Sequence, residues 1–130
     1  MIVVDASPIL AILFEEADAG SFETVLASTP DAVISPVNLW EVMVRARSVH
    51  GQPGVHAAET LLAGLGLRVA PITADHARIA IEASGRFGRG TPAALNMGDC
   101  FAYALAKAEA CVLLFKGDDF THTDAELAAR

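Results

Sequence analysis

Basic residues are scarce in this chain of 130: nine Lys and Arg stand against sixteen Asp and Glu, giving a formal net charge of -7. Bulk electrostatics therefore works against holding a nucleic acid, and any phosphate-bearing substrate would need metal ions and a local basic patch to offset the repulsion. Cysteine is nearly absent. Cys100 and Cys111 by themselves make neither a disulfide framework nor a zinc site, and both sit in apolar stretches as small core residues. Long uncharged runs are also missing. Near the start the longest extends only from Ala6 to Phe14, whereas a membrane-spanning helix needs about 20 apolar residues. No basic segment precedes the opening Met1-Ile2-Val3-Val4-Asp5, so a secretory signal is not expected and the cytoplasm is the expected location. There is no low-complexity tract and no internal repeat.

What is present is a 53% hydrophobic chain of a length suited to one domain, residues 1–130. Short β-branched or apolar runs at Ile2 to Val4, Ala32 to Ile34, Arg68 to Ala70 and Cys111 to Phe115 predict strands. Between them lie helical patterns. Pro8 begins the first, with Ser7 as its cap, and Ser21 caps a second that carries Phe22, Val25 and Leu26. Val37, Trp40 and Val44 form the apolar stripe of a third, which stops at Gly51. Pro53 opens a fourth carrying Val55, Ala58, Leu62 and Leu65. Thr73 caps a helix to Phe87, and Gly98 to Ala110 is an Ala-rich helix. Strands alternating with helices predict an α/β domain whose mainly parallel sheet is covered on both faces, with ligands outside the carboxyl ends of its strands.

Carboxylates stand at that edge. Asp5 directly follows the first strand, and Asp118 with Asp119 follows the last. Glu41 falls on the stripe of Val37, Trp40 and Val44, where an unpaired charge would be costly. Asp99 lies in the first turn of its helix, a place the macrodipole favours. Each acid alone has a plain reading: Asp99 as a cap, Asp5 as a turn residue, Glu41 as the polar edge of a stripe. Jointly they are oxygen ligands suited to Mg²⁺ or Mn²⁺, and without a cation they would repel one another.

Val4-Asp5-Ala6-Ser7, Glu41, the stretch Leu95-Asn96-Met97-Gly98-Asp99-Cys100-Phe101-Ala102-Tyr103-Ala104 and Lys116-Gly117-Asp118-Asp119-Phe120 resemble the motifs of PIN-domain ribonucleases. They are most similar to the VapC toxins of bacterial type II toxin-antitoxin systems. The resemblance spans essentially the whole chain, and Asn96 to Asp124 is its most specific part. It implies a PIN-like domain that is a Mg²⁺-dependent endoribonuclease, with Mn²⁺ as the other metal. Asp5, Glu41 and Asp99 would hold the metal directly or through water. The fourth acid would be Asp118, with Asp119 as the alternate. The residue after the first aspartate is often Thr in the family and is Ala6 here, so the supporting hydroxyl falls to Ser7. The resemblance further implies 5′-phosphate and 3′-hydroxyl products, a structured or translational RNA substrate, a homodimer, and a VapB-like antitoxin that fills the cleft.

Other residues have weaker claims. Arg86 and Arg89 flank Phe87 and Gly88 in a loop that could grip RNA phosphates and stack a base, or could simply be solvated; Arg45 and Arg47 are similar cases. His50, His56, His76 and His122 show no ligand spacing and read as surface residues. No Ser-His-Asp or Cys-His arrangement is legible. Gly85-Arg86-Phe87-Gly88-Arg89-Gly90 follows a helix and so is not a phosphate loop. Three alternatives remain. A receiver-like phosphoacceptor module would use Lys116 but wants an acidic pair after the first strand. A haloacid-dehalogenase-type phosphatase wants Asp where Ser7 stands, and a PIN fold kept only for binding sits poorly with four intact acids.

Overall fold

The computed structural model describes residues 1–130 and forms the short apolar runs into four parallel strands: β1 (Ile2–Val4), β2 (Ala32–Ile34), β3 (Arg68–Val69) and β4 (Val112–Leu114). Their order is β3-β2-β1-β4, with Ile2 opposite both Ala32 and Val112, and Val4 opposite Leu114. The chain steps outward from β1 to β2 and β3, then returns past β1 to lay β4 on its other side. The order therefore reverses between β1 and β4, and ligands of such sheets bind in the crevice beyond the strand ends at that point.

Side chains alternate between the faces of a strand, so each three-residue run feeds two cores. Val3, Val33 and Leu113 face one side, with Leu105, Phe115 and Phe120. That side is covered by α4 (Ala74–Phe87) and α5 (Met97–Ala108). Ile2, Val4, Ile34 and Leu114 face the other, packed with Ile9, Phe22 and Val42. Here lie α1 (Ala6–Leu13), α2 (Ala19–Ala27) and α3 (Pro36–Gly64). Full burial of each such Val, Leu, Ile or Phe contributes about 1.5–3 kcal/mol. The parallel sheet covered on both faces is the expected α/β architecture. A single 3-10 turn, Asp119–His122, follows β4.

Several helix ends differ from the sequence reading. The first helix begins at Ala6 and not at Pro8, because Asp5 accepts a hydrogen bond from the Ser7 backbone N–H and takes the capping role assigned to Ser7. The second begins at Ala19. Ser21 lies inside it and donates its hydroxyl proton to the Asp18 carbonyl. The stop expected at Gly51 is present: its φ of 65° breaks Pro36–Gly64 into two helices at a kink, the second resuming through Pro53 as expected. Thr73 does cap α4, but with His76 as partner. The Thr73 hydroxyl accepts from the His76 N–H at 3.2 Å, and His76 Nδ1 accepts from the Thr73 N–H at 3.1 Å. His76 is consequently 8% exposed and not a surface residue, while His50, His56 and His122 are exposed.

The chain after the 3-10 turn is tied back to α5. Buried Tyr103 donates its hydroxyl proton to Asp124 at 2.6 Å, with Lys107 on the other carboxylate oxygen at 3.4 Å. These partners hold the Asp124 carboxyl below the usual carboxylate range, the Tyr103 hydrogen bond first among them. A lowered folded-state value means stabilisation that is fully present above the unfolded value and lost as pH falls through the lowered one. Tyr103→Phe should cost about 1.5–3 kcal/mol in urea unfolding at neutral pH, the range for a hydrogen bond to a charged group. The gap from the parent should narrow below about pH 4; a gap independent of pH would mean that Asp124 is not held by this bond.

Candidate functional site

At the reversal point the chain is closed around one carboxylate. The Asp5 backbone N–H donates to the Leu114 carbonyl at 2.9 Å, which locks the end of β1 to β4. Ser7 donates its hydroxyl proton to Asp5 Oδ2 at 2.6 Å and accepts from the Lys116 N–H at 2.9 Å. Asp5 is 6% exposed. Burial pushes its carboxyl up, against the Ser7 hydrogen bonds that favour the charge.

Glu41 reaches the same place from α3. Ser35 caps that helix and donates its hydroxyl proton to Asn38 Oδ1 at 2.7 Å; Asn38 Nδ2 then donates to Glu41 Oε1 at 2.7 Å and to the Gly98 carbonyl at 3.0 Å. The Asn38 side chain is fully buried. It fixes the Glu41 rotamer and ties α3 to the first turn of α5. A Cβ at position 98 would collide with both Glu41 carboxylate oxygens, so glycine there leaves the room in which the Glu41 carboxylate lies. Partial burial raises the Glu41 carboxyl, with Asp5 adding to the effect.

Asp99 enters from the start of α5, where Asn96 and Asp99 cap one another at 2.9 and 3.0 Å. Its plain reading as a capping residue is therefore correct as far as it goes. Burial nevertheless pushes its carboxyl up to about 7, opposed by the Asn96 hydrogen bond and reinforced by the negative charges of Asp5, Asp119 and Glu41. Asp5, Glu41 and Asp99 line one cleft of about 460 Å³ with Ser7, Asn96 and Arg45 among the other walls. Of the adjacent pair after β4, Asp119 is the one whose charge acts on Asp5 and Asp99. The Asp118 carbonyl accepts the Thr121 N–H that begins the 3-10 turn, and neither Asp118 nor Asp119 is on the cleft wall.

Hard oxygen donors with raised pKa values suit a hard divalent cation. No three of the His, Cys, Asp or Glu side chains are gathered closely enough in this structure to hold a metal ion by themselves.

Other expectations fare differently. The stripe of Val37, Trp40 and Val44 does not face the core: Asn38, Val42 and Ala46 do, while Trp40 and Val44 line the cleft beside Glu41. A polar Asn in the buried row misled the reading. Arg86 lies away from the cleft, over the Phe87 ring at 4.7 Å and 3.7 Å from Asp124. Neither Arg86 nor Arg89 lines the cleft. Lys116 pairs with Glu16 and Asp18 at 3.0 and 3.1 Å, so the receiver-like alternative loses its lysine. Asn38 has no sequence signal beyond its place three residues before Glu41, whereas Asn96 and Gly98 lie in the stretch that carries the resemblance but with no role assigned to them there.

A PIN domain family profile matches residues 2–126. The chain is 38% identical over 124 residues to Ribonuclease VapC42 of Mycobacterium tuberculosis, covering 94% of this chain and 95% of the relative. It is likewise 38% identical to Ribonuclease VapC of Mycolicibacterium smegmatis, with the same coverage. Among solved structures, the fold is similar to that of Mycobacterium tuberculosis VapC20, described as a Sarcin-Ricin loop cleaving toxin, with TM-score 0.81, 21% identity and 98% of each chain covered. VapBC2 from Rickettsia felis, bound to a promoter DNA fragment, matches with TM-score 0.77 at 15% identity, again over 98% of each chain.

The crowded acids should be visible in stability. A folded-state pKa of about 7 for Asp99 lies above the unfolded value of about 3.9. Folding then disfavours the charged form; the penalty is absent below about pH 4, grows as pH rises and is complete above about pH 7. In EDTA, Asp99→Asn should therefore raise Tm by several degrees at about pH 8 and not at about pH 4. A variant less stable than the parent at both values would make Asp99 a cap and nothing more.

Proposed function

The chain belongs to the PIN-domain family, within it to the VapC ribonucleases, and on that premise we propose that it is a divalent-metal-dependent endoribonuclease whose active site is the cleft of Asp5, Glu41 and Asp99. The observation that carries this reading is the convergence of three carboxylates, drawn from β1, α3 and α5, on one cleft at the reversal of strand order. The whole of residues 1–130 acts as a single PIN domain.

Asp5, Glu41, Asp99 and Asp119 would hold Mg²⁺, or Mn²⁺, directly or through water. Such a cation supplies the positive charge that offsets the scissile phosphate and lowers the pKa of the attacking water. The remaining work belongs to the chain. Ser7 fixes the Asp5 carboxylate by its 2.6 Å hydrogen bond. Asn38 fixes Glu41 and keeps α3 in register with α5. Attack is in line, and cleavage leaves a 5′-phosphate and a 3′-hydroxyl. As the toxin of a type II toxin-antitoxin pair, the protein would act in the cytoplasm as a homodimer, held inactive by a VapB-like antitoxin in the cleft. Structural relatives include a VapBC assembly, and no helix is long and apolar enough to cross a membrane.

Incubation with total RNA, with and without millimolar Mg²⁺, tests the reading. Asp5→Asn and Asp99→Asn should abolish Mg²⁺-dependent cleavage in folded protein, because each replaces a charged oxygen ligand at nearly constant volume. Either variant cleaving within about tenfold of the parent would remove that residue from the site. Asp119→Asn should lose more activity than Asp118→Asn, and the opposite ranking would return the fourth role to Asp118. Gly98→Ala should also lower cleavage by more than about tenfold, since the new methyl displaces the Glu41 carboxylate. Because that carboxylate is the far end of a flexible side chain, the stability cost should stay near 1–3 kcal/mol. Parent-like cleavage by this variant would mean that the Glu41 position is not critical.

A further inference from the structure

Trp40 is the only tryptophan in the chain and is 61% exposed. An indole is ordinarily mostly buried. The orientation of α3 excludes a swing inward, because Asn38, Val42 and Ala46 occupy its core face. Trp40 instead stands on the cleft wall next to Glu41, with Arg45 one turn further along the same helix. Arg45 is exposed, makes no ion pair and is the only cation on that wall.

We propose that Trp40 is a stacking platform for an unpaired nucleobase of the RNA strand being cleaved, with Arg45 taking a phosphate of the same strand. The inference rests on the ribonuclease reading and adds to it the side chains that meet the strand where it is single, or splayed out of its stack, at the cleft. Within a duplex the bases are already stacked on one another and offer no free face to an indole. The ring shares its cleft with apolar Leu10 and Val44 and with polar Glu41, Arg45, Ser48 and Asn96, a mixed lining that suits a base, which carries a π-face and polar edges. Arg45 also meets the charge problem locally, since it places one positive group beside the carboxylates of a chain whose net charge is -7.

Because the chain holds a single tryptophan, its fluorescence reports this position alone. The Asp99→Asn variant in Mg²⁺ would be titrated with a single-stranded oligoribonucleotide, with the same strand made abasic, and with its duplex. Quenching is expected with the first and not with the other two. Trp40→Ala, made in the same background, should bind the single strand about 5- to 100-fold more weakly with an unchanged salt slope, and Trp40→Phe should recover most of the affinity. Arg45→Ala should instead lower the slope of log affinity against log salt by about one. Equal quenching by the abasic strand, or parent-like affinity in Trp40→Ala while the parent cleaves RNA, would overturn the platform and leave the ribonuclease reading standing. A fluorescence change with a VapB-like protein and none with RNA would overturn it in favour of protein docking. Absence of any Mg²⁺-dependent cleavage by the parent would overturn both readings together.

Discussion

A carboxylate buried where β1 meets β4 constrains everything around it. Asp5 sits at the one point where the strand order turns back, so two chain segments leave the sheet in different directions and open a crevice between them. A charge placed there without partners would cost several kcal/mol. The structure answers with the Ser7 hydroxyl, which joins Asp5 to the backbone of Lys116, and with the Asp5 N–H on Leu114. Both strands of the crevice are thereby fastened to the same side chain and its neighbour. The fold and the site are not separable at this point, since the same bonds close the sheet edge and orient the carboxylate.

The second constraint is the distance between α3 and α5. Glu41 and Asp99 belong to helices that pack on opposite faces of the sheet, and they meet only beyond its edge. Asn38 and Gly98 set that meeting: one supplies donors to both helices, the other leaves the space that the Glu41 carboxylate occupies. Substitution at either position would be felt as a displaced carboxylate before it was felt as a lost core contact, because the core row of α3 continues through Val42 and Ala46.

How much of this the sequence disclosed follows from the same geometry. Strands such as Ile2–Val4 and Val112–Leu114 are apolar on both faces, so they announce themselves as short uninterrupted runs, and the acids after them mark the edge. Asp5 is legible because charge is rare next to such runs, Glu41 because it falls on an apolar helical stripe, and Asp99 because it joins them as an acid in the first turn of its helix. The row of α3 that faces inward was not, because it contains Asn38, and a buried amide satisfied by Ser35, Glu41 and Gly98 looks polar to any periodicity. Trp40 and Val44 filled the apparent stripe in its place. Spacing does not choose between Asp118 and Asp119 either, since they are adjacent at the start of a 3-10 turn of four residues whose phase no spacing rule fixes. His76 was misplaced for a related reason: a capping box usually uses Glu or Gln at that position, and an imidazole acceptor gives no sign of itself in the sequence.

The acidity of the chain and the acidity of the site act in the same direction on a phosphate, and only local features oppose them. Burial and the neighbouring acids push the Asp99 carboxyl up to about 7, so a divalent cation at the cleft would compete with protons for the same oxygen atoms and release them on binding. The remaining deficit of positive charge falls to Arg45, the single cation at the cleft. One phosphate held by one guanidinium gives little affinity in an acidic chain, which leaves the indole of Trp40 to carry binding that neither salt nor net charge can weaken. Recognition by such a site leans on an unstacked base more than on the backbone, and that is a property of the strand's conformation before it is a property of its sequence.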